Sequence, residues 1–190
     1  DYIILNGIRI LTKPRFNGRY WDFGSVKFEA LYDDLFRNQE LIEIFIKQVY
    51  GLVDVRSKVV VDIGAYTGDS SIYFALRGAE KVYAVEPHPV AYHIMLKNIK
   101  LNNMENKIIP INAALAPKPG NVRINASIEE THAKYYSLNS KMGVYEIRAI
   151  TLGELISRYN LKPNLLKMDC EGCEFDVIVN DYEHVKPVSY

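Results

Sequence analysis

Val60-Val61-Asp62-Ile63-Gly64-Ala65-Tyr66-Thr67-Gly68-Asp69-Ser70 decides the fold. An apolar run ends in a glycine turn and continues as a helix, so the turn lies at the carboxyl end of a strand. Towards the C-terminus, short apolar runs alternate with helical stretches of about ten or more residues, the pattern of βαβ units in a parallel sheet. This spacing predicts strands over Lys58–Ile63, Lys81–Val85, Ile108–Asn112 and Leu165–Met168. The runs are apolar on both faces, as strands covered by helices on each side require. Helices are predicted over Asp69–Arg77, Pro89–Asn102, Leu152–Tyr159 and Glu174–Val179, the third opened by a capping box of Thr151 and Glu154. The expected fold class is α/β, a Rossmann-like doubly wound sheet.

On the N-terminal side, Tyr2 to Leu11 reads as a hairpin around Asn6-Gly7, a dipeptide that tolerates positive φ. Asp22 to Leu52 reads as helical, with Leu31, Leu35, Leu41, Phe45 and Val49 on one face. Residues 1–56 are therefore expected to be a hairpin and helical cover, and residues 57–190 a nucleotide-binding domain. Within that domain, 113–150 breaks the rhythm, and Val122–Asn125 with Val144–Ile150 reads as an inserted antiparallel pair, a candidate lid. The sequence stops at Val185–Tyr190, where the next strand of such a sheet is expected, so the C-terminal strands are expected to be missing.

The 190 residues are 48% hydrophobic and 24% charged, which suits one ordinary globular core. Lys plus Arg and Asp plus Glu are equal at 23 each, so no net field draws the chain to phosphate backbones or anionic lipid. No apolar run reaches the roughly 20 residues needed to cross a bilayer, and no secretory leader is evident. The expectation is a cytoplasmic protein without membrane or nucleic-acid partners. Cys170 and Cys173 are expected as reduced thiols, since a disulfide-stapled secreted domain normally carries more cysteines.

Roughly 20 residues beyond Gly64, Val82-Tyr83-Ala84-Val85 ends in Glu86, where a carboxylate can accept hydrogen bonds from both hydroxyls of a ribose. Glycine turn and acid together indicate an adenosine site, and the choice between NAD and S-adenosylmethionine (SAM) turns on charge. A pyrophosphate needs bare amides at the helix N-terminus, whereas SAM presents a sulfonium and an amino acid tail. Asp62 has the wrong charge for the first and the right one for the second. Tyr66, where a dinucleotide loop prefers glycine, argues the same way.

Val61-Asp62-Ile63-Gly64-Ala65 with Gly68, Val85-Glu86-Pro87, Asn98 with Leu101-Asn102-Asn103, Asn112-Ala113-Ala114-Leu115, Ile150-Thr151-Leu152, and Leu166-Lys167-Met168-Asp169-Cys170-Glu171-Gly172-Cys173-Glu174 resemble the FkbM family of methyltransferases. The resemblance runs from about Lys58 to Ile178, and its most diagnostic element is the Lys-x-Asp-x-Glu-Gly-x-Glu stretch. It implies a class I, SAM-dependent enzyme that methylates a hydroxyl oxygen, often on sugars or other small molecules. It further implies that Asp62, Gly64 and Gly68 line the methionine end of SAM, Glu86 the ribose, and Asn112 with Ala113 the adenine edge. Ala65, Tyr66 and Pro87, which flank these positions, complete the expected cofactor set.

Asp169, Glu171 and Glu174 follow the last predicted strand, at the rim where an acceptor must lose a proton; Asp169 and Glu171 are the candidate bases. The alternative for Glu171 and Glu174 is capping of the next helix. His132, in the candidate lid, is a third catalytic candidate, and Tyr135 and Tyr136 beside it could stack on an acceptor ring. No metal is expected: Asp169 and Glu171 lack further ligands, and Cys170-x-x-Cys173 lacks a second pair. Base-modifying enzymes place two prolines and an aromatic after the Asn or Asp where this chain has Cys170-Glu171-Gly172, which argues for a small-molecule acceptor rather than nucleic acid. The competing readings are an NAD-dependent oxidoreductase and a non-catalytic SAM-binding module. A homo-oligomer is compatible with an unpaired sheet edge.

Overall fold

The computed structural model describes residues 1–29, 38–124, 145–170 and 172–188. A four-stranded parallel sheet organises the site: β5 (Val59–Ile63), β6 (Lys81–Val85), β7 (Ile108–Ile111) and β11 (Leu165–Met168), in the order β11-β5-β6-β7. Helices α2 (Asp69–Leu76) and α3 (Pro89–Leu101) connect the first three strands, and α4 (Leu152–Tyr159) precedes β11. The chain steps outward from β5 to β7, then returns to β5's other side, so the order reverses between β5 and β11. Such a switch point opens a crevice at the carboxyl ends of the strands. The fold is the Rossmann-like one, and each of these elements lies within one residue of its expected bounds.

Alternate residues of each parallel strand feed two cores. Val60, Val82, Ile108 and Leu165 face one way, while Val61, Ile63, Val85, Ile111 and Leu166 join Leu152, Leu155, Val177 and Val185 on the other. Each such fully buried side chain contributes about 1.5–3 kcal/mol relative to exposure. Val177 and Val185 come from α5 (Glu174–Asn180) and α6 (Tyr182–Val185); α6 ends at Val185, and residues 186–188 form a turn rather than the start of the strand expected from Val185. β8 (Ala114–Leu115), β9 (Gly120–Ile124) and β10 (Tyr145–Ile150) form a separate small sheet in which β9 and β10 run antiparallel. The candidate lid beyond Ile124, with His132, Tyr135 and Tyr136, lies outside the described residues.

The N-terminal region departs from expectation. β1 (Tyr2–Leu5) and β2 (Ile8–Phe16) form the expected hairpin, with Asn6 and Gly7 at φ 48° and 80°. Asp22 to Leu52 is not one helix, because β3 (Tyr20–Gly24) and β4 (Lys27–Glu29) extend the hairpin into a four-stranded antiparallel sheet. Buried Trp21 and Phe23 flank half-buried Asp22, a period of two that belongs to a strand. Among the described residues of this stretch, helix is found at α1 (Gln39–Leu41), which continues as a π-helical turn over Ile42–Ile46.

This sheet shares the first core. Phe23, Phe28 and Phe45 pack with Tyr73 of α2, the Phe45 and Tyr73 rings lying edge to face at 5.6 Å. Ile72 to Leu76 of α2 are buried in this core. Asn98 of α3 stitches the regions together: its Oδ1 accepts from the Glu29 amide at 2.7 Å and its Nδ2 donates to the Thr67 carbonyl at 2.9 Å. Asn102 exchanges two bonds with the Lys27 backbone, at 2.9 and 2.7 Å, and its Nδ2 also donates to the Asn98 carbonyl at 2.8 Å.

Candidate functional site

β5 delivers the glycine turn to the switch point. Gly64 and Ala65 donate their amides to the Val85 carbonyl at 3.0 and 3.1 Å, folding the turn over the end of β6. Gly64 has φ 75°, and a Cβ there would lie 1.9 Å from the Asp169 carbonyl oxygen; Gly68 has φ 84°, and its Cβ would lie 2.9 Å from Met95 Cγ. Both glycines therefore serve close packing of the turn against β11 and α3.

The acid that ends β6 is fixed by the same turn. Tyr66 donates its amide to Glu86 Oε2 at 2.8 Å, and His88 donates its amide to Oε1 at 2.7 Å. Glu86 is only 6% exposed. Burial raises its pKa to about 7, against the pull of the His88 and Tyr66 amides and of Lys167. His88 also caps α3, its Nδ1 accepting from the Ala91 amide at 3.3 Å.

A cavity of about 160 Å³ opens beside Glu86. Of the residues expected from sequence, Gly64, Tyr66, Glu86, Pro87 and Asp169 line it. Ala65, Gly68, Asn112 and Ala113 are not among its lining; Asn112 Nδ2 instead donates to the Glu86 and Pro87 carbonyls at 2.8 and 3.2 Å, securing the end of β6. Glu171 and His132 lie outside the described residues. Glu174, offered as a cap, accepts from the Cys170 and Gly172 amides at 2.7 and 2.9 Å and so shapes the loop after β11.

Asp62, whose charge carried the sequence argument, is not among the lining residues either. It is fully buried; its Oδ2 accepts from the hydroxyls of Ser70 and Ser71, both at 2.6 Å, and its Oδ1 pairs with Lys167 Nζ at 3.1 Å. Lys167 also donates to the Gly64 carbonyl at 2.9 Å and stands 3.9 Å from Asp169 Oδ2. Burial opposes the Lys167 charge, but Asp62, Tyr50, Asp169 and Asp69 outweigh it and hold the ammonium well above its usual range.

Sequence reasoning missed two contributions to the cavity. Glu40, Glu43, Ile44, Val49 and Tyr50 supply a wall from the N-terminal region, a tertiary contact with no local signal. Asp69 lines the cavity at 4% exposure, and its position just after the glycine turn was a signal to be read. The two cysteines are a further correction: Cys170, a lining residue, and Cys173 form a disulfide. The turn before α5 brings their Cα atoms to 5.5 Å, inside the distance a disulfide spans.

The donor set suits SAM. Glu86 offers lone pairs to ribose hydroxyls, and Glu40, Glu43, Asp69 and Asp169 line the cavity with Lys167, a balance that favours a cation over a diphosphate.

Residues 62–188 match the family model described as Methyltransferase FkbM domain. Among curated relatives, a tRNA (guanine(37)-N(1))-methyltransferase of Methanocaldococcus jannaschii is 51% identical over 53 residues, covering 28% of this chain and 15% of that protein. A protein arginine N-methyltransferase 6 of Danio rerio is 46% identical over 61 residues, covering 32% and 17%. The chain thus spans less than a fifth of these two relatives' lengths. Among solved structures, M. jannaschii TYW2 in complex with AdoMet shares 28% identity over 53% of this chain and 47% of that one, with a TM-score of 0.40. These matches correct one expectation: with tRNA and protein arginine methyltransferases among the relatives, the restriction to a small-molecule acceptor and the exclusion of nucleic acid do not stand. Among the described residues, no helix is long and apolar enough to cross a membrane.

Proposed function

Because the chain belongs to the FkbM family of methyltransferases, whose methyl donor is SAM, we propose that it transfers that methyl group to a hydroxyl oxygen held at the rim of the cavity. The observation that carries this reading is Glu86, buried beside the cavity with both oxygens oriented by backbone amides. Its free lone pairs take the ribose hydroxyls; Gly64, Tyr66 and Pro87 shape the surrounding wall. Residues 57–190 form the SAM-binding unit in this reading, and residues 1–56 close one side of its cavity.

When bound, SAM supplies a methyl group made electrophilic by the sulfonium. Displacement is in line, so the protein contributes mainly by positioning, with a base adding about 10²- to 10⁴-fold. Asp169 takes that role in this reading, supported by a side chain 64% exposed at the cavity rim and by Lys167 3.9 Å away to orient it. Its carboxylate accepts the hydroxyl proton as the oxygen becomes nucleophilic.

Calorimetry with SAM, S-adenosylhomocysteine and NAD tests the cofactor, and binding of NAD without SAM overturns the reading. Labelled-methyl transfer to hydroxyl-bearing acceptors, tRNA and arginine-containing protein tests the accepting atom. Label recovered only on nitrogen overturns the hydroxyl assignment.

A further inference from the structure

Asp62 is enclosed by protein completely, with two hydroxyls on its Oδ2 and the Lys167 ammonium 3.1 Å from its Oδ1, so its charge is already paired inside the fold and does not reach the cavity. Asp69 is different. It lines the cavity while 4% exposed, and its hydrogen bonds are neutral: the Ser70 amide at 2.7 Å on Oδ1 and the Thr67 hydroxyl at 3.5 Å on Oδ2. Among the described residues no lysine, arginine or histidine forms an ion pair with it. A buried carboxylate without a cation is costly, and a cationic ligand in the cavity removes that cost.

Resting on the assignment of SAM to this cavity, we propose that Asp69, rather than Asp62, is the carboxylate that receives the positive charge of the methionine end of SAM. The nucleoside end is held separately by Glu86, so the two carboxylates read different parts of one ligand. Burial and the Glu40 charge raise the pKa of Asp69 to about 7, countered by the Ser70 amide and Lys167; an arriving cation favours the ionised form.

Calorimetry on the full chain with two probes separates the roles: SAM, and 5′-methylthioadenosine, which keeps the adenosine but carries neither the sulfonium nor the amino acid. Asp69→Asn is expected to weaken SAM by about tenfold or more, the loss of one charge-assisted contact, and to change methylthioadenosine by less than about twofold. Glu86→Gln weakens both. Equal affinity of Asp69→Asn and wild type for SAM, or equal losses for both probes, overturns the proposal. If wild type binds neither probe, the SAM reading fails and takes this assignment with it.

Wild type gives a second reading that survives any folding defect in the variant. Groups facing Asp69 are Glu40 from α1, Asp62 from β5 and Lys167 from β11, with Tyr50, Asp169, Glu86 and His88 around the same cavity. Glu86 contacts the part common to both probes, so its titration cancels in their affinity ratio. The preference for SAM over methylthioadenosine is expected to fall several-fold as pH drops from about 7 to about 5 and Asp69 takes up a proton. A flat ratio overturns the proposal.

Discussion

Lys167 Nζ stands 3.1 Å from Asp62 Oδ1, across the β5–β11 seam where the two residues are register partners. Asp62 is fully enclosed, so Lys167→Met leaves a buried carboxylate unpaired and is expected to cost about 3–5 kcal/mol. The double variant Asp62→Asn, Lys167→Met should recover much of that loss. Urea midpoints of the two proteins check it, and equal midpoints count against the pair.

Glu86 gives a pH dependence with opposite signs for the free and bound protein. Its pKa rises from 4.5 to about 7 on folding, so the unfolded chain ionises first as pH increases. The free protein therefore loses stability between those values, by a few kcal/mol, while below 4.5 both states are protonated and nothing is lost. Ribose hydroxyls donate better to the carboxylate, so SAM affinity should climb over the same window. Asp69 titrates alongside; Glu86→Gln removes only part of the slope, seen by calorimetry at several pH values.

Asp169→Asn should lower single-turnover methyl transfer by roughly 10²-fold or more with little change in SAM affinity. Stability should move by under about 0.5 kcal/mol, because the side chain is 64% exposed and Glu174, not Asp169, holds the following loop. Full turnover in the variant removes Asp169 from the chemistry.

Gly64→Ala is expected to prevent correct folding or cost more than about 3 kcal/mol, since its methyl group would stand 1.9 Å from backbone at a φ of 75°. Circular dichroism and the thermal midpoint read this out. A native-like midpoint means that β11 can shift away from the turn.

The parallel strands were legible because sandwiched strands are apolar on both faces and their spacing is local. Glu86 was legible because its distance from the glycine turn is fixed by one βαβ unit. Asp62 was half legible: its charge could be read, but its partner Lys167 enters from a strand far along the chain. Tyr50 was invisible for the same reason. In the N-terminal region, leucines at helical intervals masked the alternation of Trp21 and Phe23. The asparagines Asn98 and Asn102 stood out by resemblance, yet only their bonds to Glu29 and Lys27 show that they clamp β4.

The aromatic layer of Phe23, Phe28 and Phe45 over Tyr73 also bears on where this protein can be cut. A fragment trimmed to the matched residues 62–188 would discard β1 to β4 and most of β5, and leave the outer side of α2 bare. Such a fragment would present a greasy, sticky flank to water and clump rather than fold. The stretch recognisable by kinship is shorter than the stretch that folds, and expression boundaries belong upstream of β1.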